Sequence, residues 1–356
     1  MGRTQEDMEK RISNDAFFVS ASFLEKLETC PRAAQFYKID QRVSAQDSSA
    51  ATFGSHIHSG LEMHMRQLEH ASDKETTFRK VVWTLEQEFT KEPIEEGDFR
   101  TLNWAIEIYK HYVERFEFEG WRPLAYNEPQ ACPHCVTSRV DKVLGSPAPL
   151  CEWCNGTGTY KIMVEVPFVL PLGIVDGTQI YYRGFIDLPV LDGNALWSLD
   201  YKTTSRLGED FWADKKMSAQ QKGYAWALQE ALKRPVTGYV VRAIRTSQMP
   251  AGVLAGKPNR VTGEVKKQSD WWNEVFAEER FYLGEDELDE WQQNALALVE
   301  EFFWHQKRNY FPRKTMWCAG KYGRCAYYEV CSTFPPQERV HILNSGLYKQ
   351  KEERTL

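Results

Sequence analysis

The stretch RGFIDLPVLDGNALWSLDYKTTS, residues 183–205, places two acidic residues and a lysine on either side of one tight turn. Asp187 precedes the Asp-Gly-Asn turn at 192–194, and Asp200 and Lys202 follow it. Antiparallel pairing of the flanking strands can set Asp187 beside Asp200, and the two-residue period of a strand puts Asp200 and Lys202 on one face. The sequence therefore predicts that two carboxylates and one ammonium group converge.

This convergence has a chemical consequence. Buried carboxylates that lie close together repel each other, so a bound cation is the favourable way to hold them. Oxygen ligands suit Mg²⁺ or Mn²⁺, which polarise a phosphodiester and lower the pKa of bound water. Lys202 is placed to orient or deprotonate that water, and Glu165 on the preceding strand is a further acidic candidate. The competing interpretation is an exposed strand pair with a surface ion pair between Asp200 and Lys202.

The spacing of apolar residues changes along the chain, from helical before this stretch to alternating around it. Alternating apolar residues predict three consecutive strands that form a meander, followed by a helix and a further strand. Helical spacing predicts helices before the meander and a long helix near the end. We therefore expect an α/β fold, a small mixed sheet flanked by helices. The predicted strands are 160–171, 177–191, 195–204 and 238–247, the helices are 17–40, one from residue 54, two within 75–118, 216–233 and 284–308, and 250–270 is a loop.

The composition describes a folded protein, because 42% of the residues are hydrophobic and 12 are tryptophan. A net charge of -6 argues against a surface that binds any polyanion through general positive charge, but allows a local basic groove. Residues 1–15 are charged and polar, and no long apolar run follows them, so we expect no signal peptide and no membrane partner. A cytoplasmic location is the expectation.

The eight cysteines divide into two groups of four. Disulfides are disfavoured in the cytosol, where clustered thiols more often hold metal. One group consists of the pairs CPHC and CEWC, which have the spacing of a tetrahedral Zn²⁺ site. We expect this zinc module to be structural, with contact to DNA or to a protein partner as the alternative. Its predicted ligands are Cys132, Cys135, Cys151 and Cys154.

The second group combines Cys30 with three cysteines near the end of the chain. Cys318, Cys325 and Cys331 are spaced too widely for a zinc knuckle but suit a larger inorganic cluster, which needs four thiolates. Four buried structural thiols are the alternative. A cluster would tie together the two ends of the chain, so its loss should loosen both ends.

Four segments resemble the RecB-like branch of the PD-(D/E)XK nuclease superfamily. GSHIHSGLE at 54–62 resembles the branch's upstream helix with one metal-binding His, and residues 183–205 resemble its core strands. QQKGYAWAL at 220–228 resembles its Gln-x-x-x-Tyr helix, and LETCPRAAQFYKI at 27–39 resembles its amino-terminal cluster segment. One departure is Asp at position 200, where the branch more often has Glu.

The resemblance implies a restriction-endonuclease-like fold and a role for each matching residue. It implies that His58, Asp187 and Asp200 bind Mg²⁺ or Mn²⁺ and that Lys202 assists catalysis. Gln220 and Tyr224 are expected to contact DNA or brace the site. A subset of the branch binds a [4Fe-4S] cluster, which implies such a cluster on Cys30, Cys318, Cys325 and Cys331.

The implied function is metal-assisted hydrolysis of DNA in recombination, repair or DNA processing. Similarity to phage and bacterial recombination exonucleases and to CRISPR-associated adaptation nucleases favours an exonuclease that acts on single-stranded or duplex ends. The alternatives are an end-trimming endonuclease of the CRISPR adaptation kind and a non-catalytic DNA-binding or assembly subunit. A recombination or single-strand-binding protein is the expected partner, in a bacterial or phage-infected cytosol.

We expect five regions along the chain. They are a helical amino-terminal region at 1–130, a zinc insertion at 131–159, the nuclease core at 160–250, a loop and long helix at 251–312, and a cluster-closing segment at 313–356.

Overall fold

The computed structural model describes residues 16–45, 48–68, 73–116, 121–124, 163–258, 261–320, 323–335 and 337–351. The described residues form two compact units. The first comprises those between 48 and 166 and between 185 and 284, and the second comprises those before 48, between 167 and 184, and after 284. Cys132, Cys135, Cys151 and Cys154, the predicted zinc ligands, lie outside the described residues.

The described helices and strands have the following bounds. The helices are α1 (Ala21–Thr29), α2 (Pro31–Lys38), α3 (Ser49–Leu68), α4 (Lys74–Lys91), α5 (Leu102–Phe116), α6 (Glu209–Met217), α7 (Ala219–Leu232), α8 (Ala251–Leu254), α9 (Gln268–Asn273), α10 (Glu285–Lys307), α11 (Tyr328–Ser332) and α12 (Glu338–Leu343). The strands are β1 (Phe17–Val19), β2 (Arg42–Ser44), β3 (Arg122–Pro123), β4 (Val166–Val175), β5 (Thr178–Ile186), β6 (Leu188–Asp192), β7 (Ala195–Thr204), β8 (Gly238–Arg245), β9 (Phe276–Tyr282), β10 (Ala319–Gly320), β11 (Gly323–Arg324) and β12 (Tyr348–Gln350).

The first unit is built on a mixed five-stranded sheet in the order β3-β6-β7-β8-β9. The pair β7 and β8 is parallel, and every other pair in this sheet is antiparallel. Parallel neighbours need a long crossover connection, which α6 and α7 supply here. The structure thus confirms an α/β fold with a mixed sheet flanked by helices.

One face of this sheet forms the main apolar core. Trp197, Leu199 and Tyr201 of β7 are buried there together with residues of α3, α4 and α5. Because side chains alternate along a strand, Asp200 and Lys202 point to the opposite face. The alternation therefore separates the polar site from the apolar core within a single strand.

The second unit contains a three-stranded sheet in the order β1-β5-β4 and two two-stranded pairs, β2 with β12 and β10 with β11. Helix α10 packs beside the three-stranded sheet of this unit, where Gln292 donates a hydrogen bond to the carbonyl of Leu172 at 2.6 Å. In the pair β2 and β12, Arg42 faces Gln350, so residues from the two ends of the chain lie side by side.

The prediction of a single meander is wrong, although each of its strands is present. The chain leaves one sheet after β5 and enters the other with β6, so β4 and β5 belong to one sheet and β6 and β7 to the other. The change falls at Asp187, which lies between β5 and β6. Pairing of β5 with β1, more than 150 residues earlier, has no local sequence signal.

Several other predicted elements differ in detail. The segment 17–40 is divided between α1 and α2 at Pro31, the residue that punctuates its helical pattern in the sequence, and its first residues form β1 rather than a helix cap. The predicted helix at 216–233 is interrupted at Ser218, which has an extended backbone. The predicted loop at 250–270 contains α8, and β9 was not predicted. None of the described helices combines the length and the apolar composition needed to cross a membrane.

Helix α3 approaches β7 closely at Gly54. A Cβ atom built on Gly54 would lie 2.5 Å from Oγ1 of Thr203, which is closer than real Cβ atoms come to a neighbour. Thr203 directly follows Lys202, and His58 lies one helical turn after Gly54. The missing side chain at position 54 therefore sets the distance between the helix that carries His58 and the strand that carries Lys202.

The substitution Gly54→Ala is expected to destabilise the protein, because the new methyl group must displace Thr203 or the helix. Overpacking costs about 1–3 kcal/mol, while the better helix propensity of alanine returns about 1 kcal/mol. The free energy of unfolding in urea measures the net change. Adding Thr203→Ala, which removes Oγ1, should recover most of the loss.

Gly252→Ala is the matched control, since no heavy atom lies within 4 Å of a Cβ built at that position in α8. It should leave the free energy of unfolding unchanged or raise it by up to about 1 kcal/mol, the gain in helix propensity. Equal stability of Gly54→Ala and wild type, with no coupling to Thr203→Ala, would show that the helix and strand do not meet at Gly54.

Candidate active site

The two acidic residues singled out in the sequence lie next to each other. Strands β6 and β7 are antiparallel, with Leu188 opposite Leu199. The next pair in this register is Asp187 and Asp200, one residue beyond Leu188 and Leu199. Asp200 is only 2% exposed. The structure therefore brings the two carboxyl groups together at the start of β6 and the middle of β7.

Lys202 lies on the same face as Asp200 and contacts it directly. Its Nζ is 2.9 Å from Oδ2 and 3.1 Å from Oδ1 of Asp200. Burial alone would lower the pKa of Lys202, but the nearby carboxylates of Asp200 and Asp187 outweigh it and raise that pKa above its ordinary value. Because Asp200 is buried, the pair is not the surface ion pair of the competing interpretation.

The surroundings of Asp187 disfavour the charged form of its carboxyl group. Burial raises its pKa well above the usual range, and the charges of Asp200 and Glu165 raise it further. Two groups oppose this, the ammonium of Lys202 and the backbone N–H of Tyr201, which donates to Oδ2 at 3.2 Å. Glu165 is buried, and its backbone N–H donates to the carbonyl of Asp187 at 2.9 Å. Three acidic side chains thus crowd one point.

His58 reaches this cluster from helix α3. Its Nδ1 is 3.7 Å from Oδ2 of Asp187, and 30% of its side chain is exposed. The neighbouring histidines of α3 are placed differently, since His56 is fully buried and His64 has its Nδ1 2.8 Å from the hydroxyl of Tyr109. Of these three, His58 is the one that the structure places beside Asp187.

Helix α7 contributes Gln221 to the site, a residue that was not predicted from the sequence. Gln221 is 1% exposed, and its Nε2 donates to Oδ2 of Asp200 at 3.1 Å. Its positions relative to the buried residues Ala225 and Leu228 follow helical spacing, i, i+4 and i+7. A polar residue within the apolar stripe of a helix was the signal that would have identified it.

The two residues predicted on α7 bond to each other. Nε2 of Gln220 donates to the hydroxyl of Tyr224 at 3.1 Å. Burial raises the pKa of Tyr224 to about 12, and the charges of Asp187 and Asp200 add to that rise. Tyr224 therefore lies close enough to both carboxylates for their charges to affect its pKa, while Gln220 contacts the hydroxyl of Tyr224.

These side chains fit a divalent cation by their chemistry. Carboxylate oxygens and an imidazole are suitable donors, and a positive charge would relieve the repulsion among Asp187, Asp200 and Glu165. Within the described part of the chain, no group of three or more His, Cys, Asp or Glu residues already has the geometry of a metal site. The oxygens of Asp200 are instead held by Lys202 and Gln221.

The four cysteines of the second group also lie together, within the second unit. They form no disulfide. Burial raises the pKa of Cys331 to about 11, and proximity to Cys30 and Cys325 raises it further. The backbone N–H of Cys325 donates to the carbonyl of Cys318 at 3.0 Å, and that of Lys314 donates to Sγ of Cys30 at 3.5 Å. The four thiols thus lie close enough to interact electrostatically, but among the described residues they do not already have the geometry of a metal site.

The mixed sheet flanked by helices, which carries an acidic pair, a lysine and a nearby histidine, is consistent with a restriction-endonuclease-like fold. A sequence profile of the PD-(D/E)XK nuclease superfamily matches residues 19–332, which include the whole candidate site and all the cysteines. The chain belongs to this superfamily. Membership implies a hydrolytic, metal-dependent nuclease with DNA as its substrate. A comparison with curated proteins finds no match.

Gln221→Leu is expected to lower nuclease activity, because Asp200 loses a hydrogen bond at its buried carboxylate. Loss of a group that orients a metal-binding side chain typically lowers metal affinity or activity by about 10–100-fold. Initial rates of DNA cleavage at several Mg²⁺ concentrations measure both effects.

Gln293→Leu serves as the control, since Gln293 is an exposed residue of α10 and its substitution makes the same chemical change. Its rates should match those of wild type. Unchanged rates in Gln221→Leu as well would show that the bond to Asp200 plays no part in activity.

Proposed function

We propose that this protein is a Mg²⁺- or Mn²⁺-dependent deoxyribonuclease that degrades DNA from its ends. The observation that carries the nuclease proposal is the convergence of Asp187, Asp200 and Lys202 in a register set by β6 and β7, with His58 approaching from α3. The preference for DNA ends rests on the resemblance to recombination exonucleases alone. A non-catalytic descendant would be free to lose one of these groups, and all of them are present.

The residues have distinct roles in this proposal. Asp187 and Asp200 would hold the cation, and His58 would complete the ligand set from α3. Once bound, the cation would supply the electrostatic stabilisation of the phosphodiester and the acidification of water that this chemistry needs. Lys202 provides a positive charge next to Asp200 that orients the attacking water and stabilises a developing negative charge.

Two residues of α7 are assigned to the substrate side of the site. Tyr224 is close enough to both carboxylates for its pKa to respond to them, and Gln220 fixes its hydroxyl through a hydrogen bond. This pair would brace the site and contact the DNA backbone. The resemblance implies the same role.

Asp200→Asn provides the first test, because it keeps the shape of the side chain and removes its charge. Cleavage of labelled single- and double-stranded DNA with Mg²⁺ or Mn²⁺ should fall by at least about a hundredfold, the usual effect of removing one strong electrostatic contribution. Asp214→Asn, on the exposed helix α6 where 71% of the side chain is accessible, should cleave like wild type.

Equal cleavage by Asp200→Asn and wild type would overturn the site assignment. The same digestion separates the modes of action. An enzyme that acts on ends should degrade linear DNA into short products and leave a covalently closed circle intact. Cutting of the circle would instead establish an endonuclease that needs no end, whereas a linear substrate shortened by a few nucleotides, with the circle intact, would identify the end-trimming endonuclease.

We further propose a [4Fe-4S] cluster on Cys30, Cys318, Cys325 and Cys331, and a Zn²⁺ ion on Cys132, Cys135, Cys151 and Cys154. The proximity of the first four thiols in the second unit supports the cluster, because thiolates this close would repel each other without a metal. The proposal for zinc rests on the two C-x2-C pairs in the sequence.

The two metal sites are distinguished by reciprocal substitutions. Cys331→Ser should remove the brown colour and the broad absorbance at about 400 nm that are expected of thiolate-bound iron. The zinc content of this variant should stay the same. Cys132→Ser should have the opposite effect on the two metals. Iron and zinc are measured by elemental analysis of protein purified without oxygen. Zinc alone in the wild type would exclude the iron cluster.

A further inference from the structure

Tyr201 occupies a special position, between Asp200 and Lys202 on the same strand. Its side chain points to the face of the sheet opposite Asp200 and Lys202, where its ring meets that of His58 edge to face, with 6.0 Å between the ring centres. In the parallel pair β7 and β8, Tyr201 lies beside Arg242, and in the antiparallel pair β8 and β9, Arg242 lies beside Glu278. One row across three neighbouring strands therefore carries a phenol, a guanidinium and a carboxylate on a single face.

These groups form a continuous hydrogen-bonded chain. Nε and Nη2 of Arg242 lie 2.8 Å and 2.7 Å from Oε2 of Glu278. Nη1 of Arg242 donates to the hydroxyl of Tyr112, from helix α5, at 2.9 Å. The hydroxyl of Tyr112 lies 3.1 Å from that of Tyr201. We call Tyr112, Tyr201, Arg242 and Glu278 the back-face network.

The network is buried in an otherwise apolar core. Arg242 is only 4% exposed, and its guanidinium lies over the ring of Phe116 at 4.0 Å from the ring centre. The surrounding residues of the same face, such as Leu199 and Val240, are apolar. A buried ion pair is costly to desolvate, and apolar replacements of such pairs are often as stable. Stability alone therefore does not explain why charges lie here.

The network connects to the site through the backbone of Tyr201. The N–H of Tyr201 donates to Oδ2 of Asp187, and the residues on either side of Tyr201 are Asp200 and Lys202. A shift of Tyr201 along or across the sheet would therefore move both carboxylates relative to each other. The hydrogen bond between the hydroxyls of Tyr112 and Tyr201, on the opposite face of the sheet, restrains that shift.

We propose that the back-face network is a positioning device that fixes Tyr201 and, through it, sets the separation of Asp187 and Asp200 that a divalent cation needs. The inference rests on the proposed nuclease function and deepens it, because it assigns metal affinity to residues that never touch the metal. The hydroxyl of Tyr112 is the critical element, since it is the atom that joins Tyr201 to Arg242.

The test removes that single oxygen by Tyr112→Phe and measures Mn²⁺ binding calorimetrically, with Asp187→Asn defining the signal of the site. The dissociation constant for Mn²⁺ should rise about tenfold, the lower end of the range for residues that orient metal ligands. The Mg²⁺ concentration for half-maximal cleavage should rise in parallel, while the rate at saturating Mg²⁺ falls less.

The matched control is Tyr109→Phe on the same helix. Tyr109 is also buried, and its hydroxyl bonds to His64, which is outside the network. It should lose stability to a similar extent but bind Mn²⁺ like wild type, so a general loosening of α5 is separated from a positioning effect. Tyr201→Phe should raise the dissociation constant as Tyr112→Phe does, and the double variant should raise it no further.

These measurements distinguish failure of the positioning role from failure of the proposed nuclease function. Wild-type Mn²⁺ affinity in Tyr112→Phe, or an equal loss in Tyr109→Phe, would overturn the positioning role while leaving the nuclease assignment intact. Wild-type protein that neither binds Mn²⁺ through Asp187 nor cleaves DNA would overturn the proposed function, and the positioning role with it.

Discussion

The structure of the first unit depends on keeping two acidic side chains, Asp187 and Asp200, next to each other inside a folded protein. Their repulsion opposes folding, and the contact of Lys202 with Asp200 at 2.9 Å relieves part of it. Gln221 holds the same carboxylate from α7. The close approach at Gly54 and the back-face network then act on the same geometry from the opposite side of β7. Elements that look unrelated along the chain thus serve one electrostatic constraint.

Much of this site was predictable because its geometry is local. The two-residue period of a strand places Asp200 and Lys202 on one face, and the short turn at 192–194 fixes the register that brings Asp187 alongside. The division of the predicted meander between two sheets was not predictable, because it depends on pairing with β1 from the start of the chain. Strand β9 escaped prediction because Glu278, Glu279 and Arg280 interrupt its apolar pattern, and the closest partner of the inward Glu278 is Arg242 on another strand.

The second unit shows how the ends of the chain meet. Strands β2 and β12 pair, and the rings of Tyr327 and Tyr348 stack with an interplanar angle of 5°. Pro31 separates α1 from α2 and leaves Cys30 at the break, where its thiol joins those of the last segment. The proposed cluster would therefore reinforce a junction that the polypeptide already makes. Its removal should weaken that junction without abolishing it.

In the proposed site, Asp187 and Asp200 together bind one divalent cation. Anomalous X-ray scattering from crystals grown with Mn²⁺ tests this binding most directly, because it locates the ion without reference to activity. We expect a manganese peak between the two carboxylates, with oxygen atoms of both residues at bonding distance. Manganese absent from that position at saturating concentration, with Asp200 still held by Lys202 and Gln221, would contradict it.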